Sequence, residues 1–501
     1  MRARAAVVVA ATALTVPAAA QGARFRPEDR DTTLISRSLA GGFPNGASRN
    51  AAVAQDYQLA SFVAFESDAT DLVRGDTNGF TDVFLVERRR PYSIEGEPWR
   101  PGRTRLVSRG LGGRPANGPS GLPDAGGNRL RPARCVAFVS AASNLVRGDT
   151  NGVADAFLYD TRTRRTVRVS ANRAGGQADG ASREVSVDGS CTRVAYVSDR
   201  GSTRQVYLWE RGVRRPLVLS RSAAGRPGNG SSYDVSISRG GRDGKPGAAV
   251  AFASEATNLD RRDDGRTADV YLVRLRDRRP GPRLVSATSA GRAGNGPSTQ
   301  PDVALEGAYV AFTTEASDLL PGDTNGVADI ARASTRAPGS FVWASKSETI
   351  GAIADGPSRS PTTVEPGSVV AFESDATNLQ ASATSSTSDR NRSRDIFYFA
   401  ALSRNVSLQS RDSDNGILNN FAHSYATTDP RYTGHQAHAP AQNPQLSYYG
   451  NYLLFDSSYP LVDLRVGRAR FGYQITGWEA AQLSLTDPAL RQIYLRYIGP
   501  R

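Results

Sequence analysis

The sequence predicts an all-β fold, a seven-bladed β-propeller of four-stranded antiparallel blades closed by the N-terminal strand. Three observations carry this reading. One short apolar run recurs seven times in a chain of 501 residues, too long for one ordinary compact domain of roughly 100–200 residues. Every apolar run is strand-sized and bounded by Gly, Pro, Asn or Asp, and 49 Gly with 28 Pro indicate many turns and no long helices. The two ends of the array also complement each other, since the last unit stops one strand short and the first is preceded by a spare strand.

The recurring run is Val63-Ala64-Phe65, then Val136-Ala137-Phe138, Val194-Ala195-Tyr196, Val250-Ala251-Phe252, Val310-Ala311-Phe312 and Val370-Ala371-Phe372, with Leu453-Leu454-Phe455 as a looser seventh copy. Successive copies lie 56 to 83 residues apart, the self-similarity expected of a repeat architecture. Four strands can be placed in each unit. In the fifth, strand a is Pro301-Asp302-Val303-Ala304-Leu305, turning at Glu306-Gly307, and strand b runs from Tyr309 to Thr313. Strand c runs from Ala328 to Ala331 after a loop at Pro321 to Gly326, and strand d from Ser340 to Ala344. The b strands are apolar without alternation, which suits a sheet covered on both faces, and radially stacked blades supply that cover.

The seventh unit ends at strand c, Arg491 to Tyr497, while Thr33-Leu34-Ile35-Ser36-Arg37 matches the strand d segments Arg105-Leu106-Val107-Ser108-Arg109 and Arg283-Leu284-Val285-Ser286-Ala287. The N-terminal segment is therefore expected to complete the seventh blade and leave no unpaired edge. The third unit lacks the long b–c loop, and the seventh carries an insertion at about 409–444.

Ahead of the array, Met1-Arg2-Ala3-Arg4, the apolar run Ala5 to Val16 and Pro17-Ala18-Ala19-Ala20 have the order of a secretory signal peptide. Residues 1–20 read as that signal, 21–31 as a short linker and 32–501 as the propeller. The apolar run is too short for a membrane span of ~20 residues. A secreted or periplasmic, cell-envelope location follows, and in an oxidising compartment Cys135 and Cys191 are expected to form one disulfide.

The formal charge is +13, with 62 Lys plus Arg against 49 Asp plus Glu, and lysine occurs only at 245 and 346. Such a balance fits an acidic partner or an arginine-rich coding bias. A protein or glycan partner is expected; nucleic acid is not, and the chain is expected to be a monomer.

Pro301-Asp302-Val303, Val63-Ala64-Phe65-Glu66-Ser67 and Asp269-Val270-Tyr271-Leu272 together resemble the TolB-like (WD-repeat-like) β-propeller repeat of exported bacterial proteins. The resemblance covers residues 32 to 501. It implies a binding platform, with an enzyme as a less frequent use of the fold.

In a four-stranded blade the d–a and b–c loops emerge on one face. The d–a loops carry Asn45-Gly46, Asn117-Gly118, Asp179-Gly180, Asn229-Gly230, Asn295-Gly296 and Asp355-Gly356. The b–c loops place Asp76, Asn78 and Asp82, Asp149, Asn151 and Asp155, and Asp323, Asn325 and Asp329 around Gly-containing turns. Unit six keeps Asp389, Asn391 and Asp395, and unit four keeps Asp263 and Asp269. Alternating oxygen ligands on a tight loop could hold calcium, which takes six to eight oxygens, with Asp68, Glu315 or Asp375 adding a carboxylate. The competing reading is a hairpin, because Asn-Gly is a preferred turn pair that Asp can cap. This face is the expected working surface. The opposite face carries arginine clusters such as Arg88-Arg89-Arg90 and Arg162, Arg164 and Arg165.

All three histidines, His423, His435 and His438, fall in the insertion. With nearby carboxylates they could bind Zn or Mn, and a propeller with a histidine-bound metal resembles oligogalacturonate lyases. The sequence has no Gly-x-Ser-x-Gly, His-Glu-x-x-His or phosphate-loop motif, so no catalytic residue is assigned. The leading reading is an exported binding scaffold, possible alternatives being a lyase-like carbohydrate-active enzyme and a purely structural propeller.

Overall fold

The computed structural model describes residues 32–497 except 57–58, 91–98, 129, 131, 173–175, 241–244, 264, 266, 338, 348–350, 365–366, 380–393, 411–440, 448–451 and 458–490. The expected signal peptide and linker lie outside the described residues, as do His423, His435, His438, Asp389 and Asn391.

Seven four-stranded antiparallel sheets form the blades. Blade 1 is Ser48–Val53, Phe62–Ser67, Asp82–Arg88 and Pro101–Leu106. Blade 2 is Ser120–Ala125, Cys135–Ser140, Asp155–Asp160 and Arg165–Arg168. Blade 3 is Ser182–Val187, Arg193–Arg200, Thr203–Glu210 and Leu217–Val218. Blade 4 is Ser232–Ile237, Ala249–Ser254, Asp269–Arg274 and Arg283–Leu284. Blade 5 is Ser298–Ala304, Tyr309–Thr314, Asp329–Ser334 and Phe341–Trp343, within a residue or a few of the expected strands. Blade 6 is Ser358–Thr363, Val369–Ser374, Asp395–Ala400 and Asn405–Leu408.

Blade 7 is made from both ends of the described chain. Ala441–Leu446, Tyr452–Ser457 and Gln492–Tyr497 are completed by Thr32–Leu34, which pairs antiparallel with Gln492–Tyr497. The expected closure is present. A small hairpin, Lys346–Ser347 with Ala352–Ile353, follows blade 5 and was not expected. Blade 3 replaces the long b–c loop with a tight turn, so its b and c strands pair over eight residues.

The b strands of blades 1, 2, 4, 6 and 7 are buried at every position. Their aromatic residue faces another on strand c: Phe65 with Phe84, Phe138 with Phe157, Phe252 with Tyr271 and Phe372 with Phe397, at ring centroid distances of 5.6 to 6.0 Å. In blade 5 Ala331 stands opposite Phe312, and Phe341 of strand d supplies the ring instead, edge-on at 6.0 Å. Apolar residues collect into seven clusters, one at each junction between neighbouring blades, including the junction of blades 7 and 1. No blade could bury its faces alone, so the ring is the unit of stability. Among the described residues no helix is long and apolar enough to cross a membrane.

Cys135 and Cys191 are bonded, joining strand b of blade 2 to the a–b turn of blade 3. The bond closes a span of 56 residues, worth about 4 kcal/mol in the chain-entropy description. Replacing both cysteines by serine is expected to lower the guanidinium unfolding free energy by about that amount. A loss below about 1 kcal/mol would show that the ring junction already supplies the constraint.

Candidate functional site

The loop face is built by two repeated hydrogen-bonding devices. In the first, the d–a loop clasps the b–c loop of the same blade. Asn45 Nδ2 donates to Thr70 Oγ1 (2.9 Å), Thr70 N to Asn45 Oδ1 (2.9 Å), and Asn45 N to Asp71 Oδ1 (3.1 Å). Asn117, Asn229, Asn295 and Asp355 make the corresponding contacts with residues 143–144, 257–258, 317–318 and 377–378. The following glycine is required by close approach: a Cβ on Gly46 would stand 2.7 Å from the backbone at Asp68 and Ala69. Gly118, Gly230, Gly296 and Gly356 are similarly crowded by opposing backbone. These Asn-Gly pairs hold the blade together.

The second device joins strand c to strand d. A buried Asp or Gln, the first residue of strand c except in blade 3, where it is the third, accepts the hydroxyl of a serine two residues beyond the end of strand d. Ser108 Oγ donates to Asp82 Oδ1 (2.5 Å), Ser170 to Asp155 (2.5 Å), Ser286 to Asp269 (2.6 Å), Ser345 to Asp329 (2.6 Å) and Ser410 to Asp395 (2.5 Å). Gln205 accepts from Ser220 (2.8 Å), and Gln492 from Ser36 (2.7 Å). Each serine oxygen in turn accepts a backbone N–H of strand c, for example Val83 N at 2.9 Å and Ile493 N at 3.1 Å.

The three loop triads sit on this device. Asn78, Asn151 and Asn325 each donate from Nδ2 to the second oxygen of Asp82, Asp155 and Asp329, at 2.7, 2.9 and 2.9 Å. Their own carbonyl oxygens accept the backbone N–H of Phe80, Val153 and Val327. The asparagines thus close the hairpin and orient the last Asp. Asp76 and Asp149 are buried, whereas Asp323 is only half-buried. Burial, with repulsion from Asp82, pushes Asp76 up to about 6. Asp68 and Asp375 are engaged elsewhere, by Arg49 and Thr81 and by Arg359 and Arg394 respectively. Among the described residues no group of three or more His, Cys, Asp or Glu is placed to hold a metal ion.

The a strands of successive blades contact one another around the ring. Six carry a non-glycine residue at positive φ in their third position: Asn50, Leu122, Asp234, Gln300, Ser360 and Asn443, with φ of 49 to 54°. The left-handed conformation is disfavoured for such residues, and here each interrupts the pairing with strand b as a bulge. Several of the bulges place a backbone N–H or side chain against the neighbouring blade. Leu122 N donates to Glu66 (2.6 Å), Val235 N to Glu184 (3.1 Å), Gln300 N to Asp234 (2.9 Å), Ser360 N to Gln300 (3.0 Å) and Asn443 N to Glu373 (3.2 Å). This polar inner ring escaped the sequence reading. The signal that could have found five of the six is a polar or charged residue in the third place of strand a, Leu122 being the exception.

On the opposite face Arg239, in the a–b connection of blade 4, reaches past blade 3 to hold Asp124 of blade 2 through both nitrogens (2.8 and 3.0 Å). The arginine clusters of the c–d connections do not gather at one place. Part of them, with arginines from other loops, borders a cleft of about 1240 Å³ along the outer strand of blade 1 and the facing strand of blade 2. Its described lining contains Arg37, Arg74, Arg103, Arg105, Arg109, Arg164 and Arg165, and neither Asp nor Glu. Arg105 binds Glu87 through Nη2 (2.8 Å), but its Nε is buried with no acceptor. Burial holds the Arg37 guanidinium below the ordinary arginine range.

No protein-family model matches the sequence, and no curated protein matches it. The chain is similar in structure to TolB from Acinetobacter baumannii, at 10% identity over 76% of this chain and 80% of that one, with a TM-score of 0.34. It is also similar to an oligogalacturonate lyase in complex with manganese, at 11% identity over 94% and 96%, with a TM-score of 0.43. A puromycin-hydrolyzing peptidase of Mycobacterium tuberculosis matches at 11% identity over 85% of this chain and 52% of that one, with a TM-score of 0.44.

The inner ring has a consequence for stability. Burial, then the Asp234 carboxylate, pushes Glu184 up to about 7 from an ordinary value of 4.5. The folded state therefore holds a proton between pH 4.5 and 7 that the unfolded state releases, and stability should fall as pH rises through that window. Glu184→Gln is expected to remove a pH-dependent term on the order of 2 kcal/mol, allowing for partial solvent screening. Urea unfolding at pH 5 and pH 8 checks this, and an unchanged slope in the variant would reject the assignment.

Proposed function

We propose that this chain is an exported propeller scaffold whose arginine-lined cleft between blades 1 and 2 binds an anionic partner, an acidic glycan or an acidic segment of a protein. The observation that carries the reading is the composition of the cleft: seven arginines with no carboxylate in its described lining. A concave wall of one charge focuses the field and raises the local concentration of oppositely charged ligands. Arginine also offers paired N–H donors that match carboxylate and sulfate geometry.

The repeated Asn and Asp residues of the loop face, the surface favoured by the sequence, spend most of their polar groups on the clasps and latches, and that face contributes to the cleft through Arg37, Arg74 and Arg109 instead. Export is supported by the leader pattern and by the disulfide, which persists in oxidising compartments. No observation on the described residues favours the lyase-like reading.

Binding to polygalacturonate and to a poly-glutamate peptide, measured by biolayer interferometry at low and high salt, tests the proposal. At least one polyanion is expected to bind with an affinity that falls steeply with salt, while neutral dextran does not bind. The double variant Arg103→Glu/Arg165→Glu, both side chains exposed, should weaken binding at least about tenfold, since reversing charge adds repulsion to lost attraction. Failure of both polyanions, or binding indifferent to the double variant, overturns the reading.

A further inference from the structure

The repeated b–c loops act as controls for one another, and they differ at one place. Strand d residues that pair with the aromatic position of strand c are Leu106 in blade 1, Arg168 in blade 2 and Trp343 in blade 5. In blade 2 the Arg168 guanidinium lies 3.4 Å from Asp149 Oδ1 and 3.7 Å from Asp155 Oδ2, so the loop contains its own counter-ion. In blade 4 the Tyr271 hydroxyl donates to Asp263 Oδ2 at 2.6 Å. In blade 5 Asp323 is partly exposed, while Asp329 takes Ser345 and the Trp343 indole N–H.

Blade 1 has none of these arrangements. Asp76 is only 6% exposed, and its Oδ1 is buried without a hydrogen-bond partner. Asp82 beside it is fully buried and repels its charge. The residue that would answer with a positive charge is Leu106. A buried carboxylate with one oxygen unpartnered beside a second carboxylate is unfavourable unless a proton or a cation relieves the charge, and a cation can bridge both groups.

We propose that the b–c loop of blade 1 is a divalent-cation site of the calcium class, held by Asp76 and Asp82, and that Arg168 occupies the equivalent place in blade 2 as a built-in cation. Hard oxygen donors without imidazole or thiolate suit calcium, and sites with few carboxylates fall in the affinity range of extracellular modules, a Kd on the order of 10⁻⁴–10⁻³ M. Asp82 retains acceptor capacity, because each carboxylate oxygen can accept more than the single bond it receives from Ser108 or Asn78. Asn78 positions Asp82 and is not a ligand.

The test is calorimetric titration of CaCl₂ into the full chain after chelation. The expected result is one site per chain, weakened at least about tenfold by the near-isosteric Asp76→Asn, since one of two charged ligands is removed. Asp149→Asn should leave the titration unchanged, and Leu106→Arg should abolish it by copying blade 2. Near-ultraviolet circular dichroism reports whether each variant is folded; if Leu106→Arg is not, the two Asp variants decide. Absence of calcium binding at millimolar concentration, binding that survives Asp76→Asn, or loss of a site in Asp149→Asn each overturns the proposal.

Discussion

A buried hydroxyl-to-acid or hydroxyl-to-amide hydrogen bond between strands c and d recurs in every blade of this protein. Its acceptor lies at or near the start of strand c and its donor two residues beyond strand d, so it fastens the outer half of the blade at the point where the two strands diverge. A hydrogen bond to a charged group contributes about 1.5–3 kcal/mol, and the penalty for leaving either partner alone in a buried place is comparable. In blade 7 the same bond joins Ser36 to Gln492. The latch within one blade is therefore also the fastening that closes the circle.

The latch and the clasp explain why recurrence is a poor guide to function here. Most of the residues that repeat faithfully, Asn-Gly on one loop and the asparagine and last aspartate of the other, spend their polar groups within the blade. Function is better sought where the repeat breaks. Among the described residues, Leu106 in place of Arg168 leaves two carboxylates without a counter-ion, and an accumulation of arginines beside blades 1 and 2 lines a cleft that contains no acid. Both departures fall in the same sector of the ring.

Strain is distributed in the same economical way. Six bulges hold non-glycine residues in the left-handed region, disfavoured by roughly 1–2 kcal/mol for Leu122, Gln300 and Ser360 and less for the three Asn and Asp residues. Neighbouring blades stabilise most of them through hydrogen bonds at or beside the bulge, as Leu122 N does with Glu66 and Ser360 N with Gln300. The inner ring thus couples adjacent blades through polar contacts, while the seven apolar clusters couple them through packing.

Strand order, blade number, ring closure and the disulfide partners were all legible in the sequence, because each depends on local pattern: an apolar run at a regular interval, a spare strand at one end, a cysteine pair. The loop aspartates and asparagines were legible as candidates and ambiguous in role, since the same residues cap a hairpin or ligate a cation. Only the tertiary structure separated these, by turning the asparagine amides toward Asp82, Asp155 and Asp329 and by bringing Arg168 beside Asp149 across 19 residues of chain. The cleft was illegible for the same reason. Its arginines come from the segments after the N-terminal strand and after blade 1, the b–c loop and outer strand of blade 1, and the c–d turn and outer strand of blade 2, and although Arg37 and Arg109 share a place in the repeat, no single interval relates all seven. Periodicity along the chain determines the ring, whereas charge pairing across blades depends on side chains that meet only once the ring is closed.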